Sequence, residues 1–421
     1  MTYTNTENTV LIAGGGIGGL AAALAAAEAG QATTVFEKAP EFGEVGAGIQ
    51  LAANGVAVLK RYGLMDRIND FAVYPKRLVL KDAWTGEELT ALDLGKEYEE
   101  RYGAPYIVLH RSDLHSVLLE ACKVSPLVSL YTDTDIHSVE KTADGVYLTN
   151  QRGEKIKGKA VIGADGIHSN VRKHFVQDQP VNSAYVAYRG TLPIEVVSED
   201  ANMDDVIMWI GPNSHVVQYC VRRGELYNQV VVFKSPTWTP ESTVWGTPEE
   251  MMQVFEGCHE KIGKALEFIN KDFRWPMYDR NPIGNWTDDN ITLLGDAAHP
   301  MLQYLAQGGV QALEDTAKLA DVLKAHGENF EAAFKEYQEE RLPRSARVQT
   351  TARFWGEIIH AVDPLAIALR NDIFKKCQAN GFFYTDWLHG YKREAAVYQN
   401  KFVPFVDIEK HITKKELELA K

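Results

Sequence analysis

Between Gly14 and Glu37 the chain sets out residue types suited to holding a dinucleotide. Thr9 to Ala13 reads as a short buried strand, Gly14-Gly15-Gly16-Ile17-Gly18-Gly19 as a turn, and the Ala/Leu-rich run after it as a helix. Gly14 permits a tight turn, Gly16 lets the backbone approach a pyrophosphate, and Gly19 brings helix against strand. The helix N-terminus offers its free N–H groups to the phosphates. Glu37, 18 positions after Gly19 at the end of a second strand, is placed to accept both ribose hydroxyls of an adenosine. Glycine-rich turns are common, but here strand, helix and acid all fall in register. The segment reads as the ADP-binding half of a dinucleotide fold.

A second candidate is His215, within Gly211-Pro212-Asn213-Ser214-His215-Val216-Val217-Gln218-Tyr219. Strand alternation places His215, Val217 and Tyr219 on one face. A lone histidine on a strand is more often a satisfied structural residue, so this pattern by itself leaves the role open.

These residues need a scaffold, and 421 residues of ordinary globular composition suffice for two domains or one domain with an insertion. The net charge of −13 makes an unfavourable field for nucleic acid, and no long Lys/Arg cluster offsets it. Cys122, Cys220, Cys258 and Cys377 lie far apart with no CxxC, which indicates buried free thiols and no metal site. Val10 to Ala27 is 18 apolar or glycine residues in a row. Its leader carries Glu7 and no Lys or Arg, and its interior is glycine and alanine, so a buried strand and helix explain it better than a signal peptide or membrane span. With no other targeting segment, a soluble cytoplasmic protein is expected.

Further along, a helix is expected over about Ala53 to Tyr62, and a hairpin around Thr85-Gly86. Ser112 or Asp113 could cap a helix running through Cys122. A second hairpin surrounds Asn150 to Glu154 and leads into a buried strand, Ala160 to Ala164. Between Val181 and Asp279 the pattern turns to strands, as in a separate antiparallel sheet. Nucleotide-domain character resumes at Ile291 to Leu294, followed by helices over about Gly309 to His326 and Phe330 to Trp355. Asp407 to Lys421 reads as a solvated tail.

Three separated segments then make one pattern: Gly14 to Gly19; Gly163-Ala164-Asp165-Gly166-Ile167-His168-Ser169-Asn170-Val171-Arg172; and Gly295-Asp296-Ala297-Ala298-His299-Pro300. In this order they resemble the aromatic-ring hydroxylases, single-component flavoprotein monooxygenases. The resemblance implies an α/β fold: a Rossmann-like FAD-binding domain with an inserted antiparallel β-sheet substrate domain and a helical C-terminal region. The FAD-binding domain is assigned to 1–74, 106–180 and 284–345, the substrate domain to 75–105 and 181–283, and the C-terminal region and tail to 346–421. Asp296 and Arg111 match the family's flavin-contacting residues, and Asp165 sits in the segment that shapes the flavin and nicotinamide region.

Only one dinucleotide fingerprint is present. The resemblance implies that NADH, rather than NADPH, visits transiently to reduce a resident FAD. Reduced flavin then takes up O2 as a C4a-hydroperoxide, whose distal oxygen attacks an electron-rich ring. The protein's own task is to deprotonate or polarise a phenol.

Gln303, with His215 and Tyr219, is similar to the 3-hydroxybenzoate 6-hydroxylase group. The likeness runs over about residues 8 to 393. It includes Phe42-Gly43-Glu44-Val45-Gly46-Ala47-Gly48, His110-Arg111-Ser112-Asp113-Leu114-His115 and Tyr384-Thr385-Asp386-Trp387-Leu388. It implies that His215 and Gln303 meet the phenolic oxygen and that 3-hydroxybenzoate is hydroxylated para to its hydroxyl. Tyr219 and Tyr106 could donate hydrogen bonds to the aromatic acid. Arg189 has a fork suited to its carboxylate, or serves the flavin or the fold. A dimer is usual among such proteins. The rivals are a salicylate or other hydroxybenzoate hydroxylase and, from another class, a non-catalytic FAD-binding redox sensor; a halogenase would carry a Trp-x-Trp-x-Ile-Pro signature that is absent here.

Overall fold

The computed structural model describes residues 3, 6–43, 46–197 and 202–391. Glu44 and Val45 of the loop motif, and the tail expected over Asp407 to Lys421, lie outside the described residues.

Val10–Ala13, Thr33–Phe36 and Ala160–Gly163 are buried along their whole length, as strands covered on both faces must be. They form the middle of a six-stranded sheet ordered Thr287–Asp288, Ile291–Leu293, Ala160–Gly163, Val10–Ala13, Thr33–Phe36, Val128–Tyr131. Every neighbouring pair is parallel except the outermost one, made by Thr287–Asp288. Ala13 lies beside both Phe36 and Gly163, and Gly163 beside Leu293. The carboxyl ends of four strands therefore share one edge, where open parallel sheets take their ligands. The Gly14–Gly19 turn, Glu37, Asp165 and Asp296 all leave the sheet there.

The apolar run Val10 to Ala27 is accordingly the central strand and most of the helix Ile17–Glu28, with Ala21, Ala22, Ala23, Ala25 and Ala26 fully buried. Alanine lets this helix lie close to the helices Arg111–Val124 and Gly308–His326. The first of these is capped by His110, not by Ser112 or Asp113; His110 Nδ1 accepts from the Ser112 N–H at 3.3 Å. Asp113 instead takes two bonds from Arg222, each 2.9 Å. A guanidinium fork satisfies both carboxylate oxygens, where a cap would satisfy one.

The inserted sheet has seven strands: Trp275–Asp279, Val181–Pro193, Leu226–Lys234, Ser214–Val221, Val206–Gly211, Arg77–Asp82 and Glu88–Asp93. One pairing departs from the antiparallel expectation, since Val206–Gly211 runs parallel to Arg77–Asp82. The chain enters this sheet twice, with much of the nucleotide unit between, and so long a crossover leaves the second strand free to pair in parallel. One face of the sheet packs Val79, Trp209, Val216, Val231 and Phe233 against Met251, Phe255, Ile262 and Leu266, the latter four on or just after the helices Pro248–Val254 and Glu260–Phe268. The other face looks towards the nucleotide unit. A two-stranded ribbon, Gly48–Leu51 with Ile107–His110, lies between the two units, and the Gly48 N–H donates to Asn228 Oδ1 at 2.6 Å.

The helix Phe330–Ile359 runs unbroken across the boundary drawn at 345/346, with Pro343 inside it. It is pinned by charges that have no contact with solvent. Arg341 pairs with Glu314 at 2.6 Å and Asp315 at 2.7 Å, and all three side chains are fully buried. Arg344 adds a bond to Glu314 at 2.8 Å, and Asn54 another at 2.6 Å. Asp315 also accepts from the Gly295 N–H at 3.0 Å and from His299 Nε2 at 2.6 Å; a carboxylate only accepts, so His299 carries its proton on that nitrogen. Cys122 and Cys220 are buried as expected, whereas Cys258 and Cys377 are half-buried. Among the described residues no helix is long and apolar enough to cross a membrane.

Removing one partner of a buried ion pair strands the others. Arg341→Met is expected to cost about 3–5 kcal/mol in urea unfolding; a change under about 1 kcal/mol, within the range of exposed pairs, would contradict the assignment. Burial pushes the Glu314 carboxyl up, but the Arg344 and Arg341 guanidiniums outweigh it and hold the group at about 2, below its usual 4.5. Its contribution is therefore complete above pH 4.5 and lost as pH falls towards 2. Unfolding midpoints measured across that range should fall steadily.

Candidate active site

A continuous cavity of about 2290 Å³ runs from the carboxyl edge of the parallel sheet to the inner face of the inserted sheet. It is larger than a pocket for one small molecule, roughly 300–1,000 Å³, and is sized for a dinucleotide with a second ligand. Its walls include Gly14, Gly16, Glu37, Arg111, Asp165 and Asp296 at one end and Arg189, His215, Tyr219 and Gln303 at the other.

At the nucleotide end, Gly14 has φ +103°, and a Cβ there would lie 2.3 Å from the Ala164 carbonyl oxygen. A Cβ on Gly19 would meet the Gly14 oxygen at 1.9 Å. Only glycine fits at either position, so the turn closes tightly against the helix start. Gly16 caps that helix with no side-chain bond, which leaves its first N–H groups to the cavity. A second, longer helix, Gly308–His326, also starts at the cavity wall without a side-chain cap. Two positive helix ends and Arg111 converging on one space suit a diphosphate. Glu37 is held by the turn itself, accepting from the N–H of Gly15 at 2.8 Å and of Ala39 at 2.9 Å. These residues fit an adenosine diphosphate moiety.

Asp165 lines the cavity, but its carboxylate is turned into its own loop. It accepts from the Ser169 hydroxyl, and from the N–H of Asn170 at 2.7 Å and Val171 at 3.2 Å. Burial raises its pKa although these bonds oppose it. The carboxylate thus ties the loop to the start of the short helical turn Val171–His174, and Gly166 of the same loop borders the cavity.

At the other end, His215 is 1% exposed on the central strand Ser214–Val221. Val216, its neighbour, packs into the opposite core, so the expected alternation holds. Burial, and secondarily His360, push the His215 imidazole well below its usual range, leaving it neutral. Its Nδ1 lies 2.7 Å from Nε2 of His360. Tyr304 stands edge-on to it, ring centroids 5.6 Å apart, with a buried hydroxyl that has no hydrogen-bond partner among the described residues. Gln303 is exposed on the cavity wall one residue earlier.

Tyr106 donates to Gln50 Oε1 at 2.7 Å, and Gln50 also hydrogen-bonds Tyr219. Burial drives both tyrosine hydroxyls up, so they remain protonated donors. Arg189 lies over the Trp275 ring at 4.5 Å and faces the same space. Val217 and Leu305 line the cavity; Leu302 is buried behind it. Thus every candidate cofactor-binding, catalytic and substrate-binding residue, except Gly19, borders one cavity. Gln50, Tyr304 and His360 were not singled out. Only the polar Gln50 within an apolar strand carried a signal, because the other two are placed by tertiary packing.

A family profile described as "FAD binding domain" matches residues 7–352. The chain is 38% identical over 392 residues to a protein named 3-hydroxybenzoate 6-hydroxylase from Polaromonas naphthalenivorans (strain CJ2), covering 93% of this chain and 98% of that one. It is 37% identical to 3-hydroxybenzoate 6-hydroxylase 1 of Aquipseudomonas alcaligenes, with 91% and 98% covered. Among solved structures, HpxO of Klebsiella pneumoniae complexed with FAD and uric acid superposes with a TM-score of 0.78 at 24% identity, covering 89% of this chain and 95% of that one.

The tight turn makes a direct prediction. Gly19→Ala, whose Cβ would collide with the Gly14 carbonyl, is expected to weaken flavin binding at least about tenfold, roughly 1.4 kcal/mol, in a titration of the apoprotein followed by flavin fluorescence. Unaltered affinity would remove Gly19 from the cofactor cradle.

Proposed function

The chain belongs to the FAD-dependent aromatic hydroxylases, the single-component flavoprotein monooxygenases, and we propose that its own reaction converts 3-hydroxybenzoate to 2,5-dihydroxybenzoate (gentisate) with NADH and O2. The observation that carries this reading is a buried His215, hydrogen-bonded through Nδ1, on the wall of the cavity whose far end forms the dinucleotide cradle. The names borne by the relatives support the substrate.

Within this proposal Gly14, Gly16 and Gly19 shape the pyrophosphate turn, Glu37 takes the adenosine ribose, and Arg111 and Asp296 face the rest of the FAD. Asp165 holds the loop that borders the flavin. When bound, FAD would supply the redox chemistry that carries electrons from NADH to O2, so that one oxygen atom enters the substrate ring and the other leaves as water. The chain's own residues prepare that ring. His215 Nε2 takes the proton of the substrate hydroxyl, and the Gln303 amide donates to the resulting oxyanion. Arg189 pairs with the substrate carboxylate, while Tyr106 and Tyr219 fix the ring through hydrogen bonds. A phenolate enriches its ortho and para carbons alike, so the choice of the para carbon falls to the walls that orient the ring, including Val217 and Leu305. The apolar lining of this end excludes water from the transfer.

His215→Ala is expected to slow hydroxylation by about 10²-fold or more while continuing to oxidise NADH and releasing hydrogen peroxide. Unchanged coupling of NADH oxidation to product would sink the assignment. A panel of hydroxybenzoates with product identification separates the rivals: catechol and CO2 identify a salicylate hydroxylase, and bound FAD without substrate-stimulated NADH oxidation identifies a sensor.

A further inference from the structure

His360 does not border the cavity, yet it makes the hydrogen bond to the one side chain there best suited to act as a base. The 2.7 Å contact between His215 Nδ1 and His360 Nε2 holds one proton, so one ring donates and the other accepts. It also uses up Nδ1, and His215 therefore meets the cavity through Nε2. A base needs a lone pair at Nε2, which requires the proton on Nδ1.

His360 is held firmly in place. It closes the C-terminus of the helix Phe330–Ile359, with its N–H bonded to Gly356 O at 3.0 Å and its carbonyl accepting from the Asn213 N–H at 3.0 Å. Asn213 lies two residues before His215, so the same contact fixes the helix end to the strand. The His360 ring stacks on Tyr185 with centroids 4.7 Å apart, and Tyr304 closes its edge at 5.0 Å. Arg370 braces the helix end through the carbonyls of Ile358 and Ile359. Burial, with Arg370 second, pushes His360 down to about 3, so that it stays neutral and keeps a lone pair to offer.

We propose that His360 is a positioning residue that accepts the Nδ1 proton of His215 in a hydrogen bond and thereby sets Nε2 of His215 as the proton acceptor towards the substrate hydroxyl. This deepens the role given to His215 above and rests on that reading for its substrate. In the step concerned the substrate O–H bond breaks and the His215 Nε2–H bond forms, with the electron pair left on the phenolate oxygen. The Nδ1–H stays on His215, and its bond to His360 becomes charge-assisted as the imidazolium forms. A neutral acceptor thus does here, more weakly, what a buried carboxylate does behind a catalytic histidine.

The test begins with the substrate-free wild-type protein labelled with 15N-histidine, the His215 signals being assigned by their loss in His215→Asn. A protonated Nδ1 and unprotonated Nε2 are expected; the reverse tautomer overturns the proposal. His360→Leu should turn His215 to the Nε2–H form. It should also lower kcat for hydroxylation by about 10–100-fold with KM for 3-hydroxybenzoate little altered. His360→Gln, whose amide oxygen can stand where Nε2 stood, should restore the Nδ1–H tautomer and most of kcat. Full coupling and unchanged kcat in His360→Leu would overturn the proposal, as would a His360→Gln protein that restores the tautomer and not the rate. If wild-type protein turns over no 3-hydroxybenzoate, the substrate assignment fails while the tautomer result still decides the role of His360.

Discussion

The buried meeting of Arg341 with Glu314 and Asp315 is the constraint on which the rest of the molecule is hung. Two carboxylates side by side in a dry interior are unfavourable unless a cation answers both. Arg341 reaches both because its helix crosses the helix that carries them. Asp315 then has an oxygen left over, and it holds the Gly295 N–H and His299. The loop that carries Asp296 to the cavity is thereby held by a charge cluster as well as by the packing of Leu294, Ala297 and Ala298. Arg344 extends the cluster towards the last described helix through the carbonyls of Trp387 and Leu388.

The two ends of the cavity are built on different principles. The nucleotide end is made of backbone: glycine turns, helix starts and the edges of parallel strands, with Glu37 and Asp165 folded back to hold their own loops. Such a surface binds what all dinucleotides share. The other end is made of side chains from the inserted sheet, the two-stranded ribbon and the turn Gln303–Leu305, and these reach one another over long sequence distances, as Gln50 does with Tyr106 and Tyr219. Chemistry specific to one substrate is concentrated there.

This division explains what was legible in the sequence. The parallel sheet and its cradle follow from local rules: a buried strand, glycines where a Cβ has no room, and an acid at the next strand end. The face shared by His215 and Tyr219 follows from strand alternation alone. The His110 cap was not legible, because Ser and Asp are the usual caps and Asp113 was claimed by Arg222, 109 positions away. Nor was the parallel pairing of Val206–Gly211, which depends on where the chain re-enters a sheet begun earlier. His360 lies 145 residues from His215 and carries no motif. Its position is a property of how one helix end packs, and periodicity contains no trace of that.

The helix Phe330–Ile359 bears Arg341 near its middle and ends at His360. Nineteen residues separate them, which at about 1.5 Å each makes a rod of roughly 28 Å. Its phase matters as much as its length, since each residue added or removed turns the far end by about 100°. The spacing between these two residues is thus a gauge that sets the angle of an imidazole by reference to a charge cluster at the cofactor end. A one-residue insertion on its exposed side would leave every contact partner in the chain and still point the histidine elsewhere. Substitutions on the exposed face of the rod are cheap by comparison, and its residue count is the quantity under constraint.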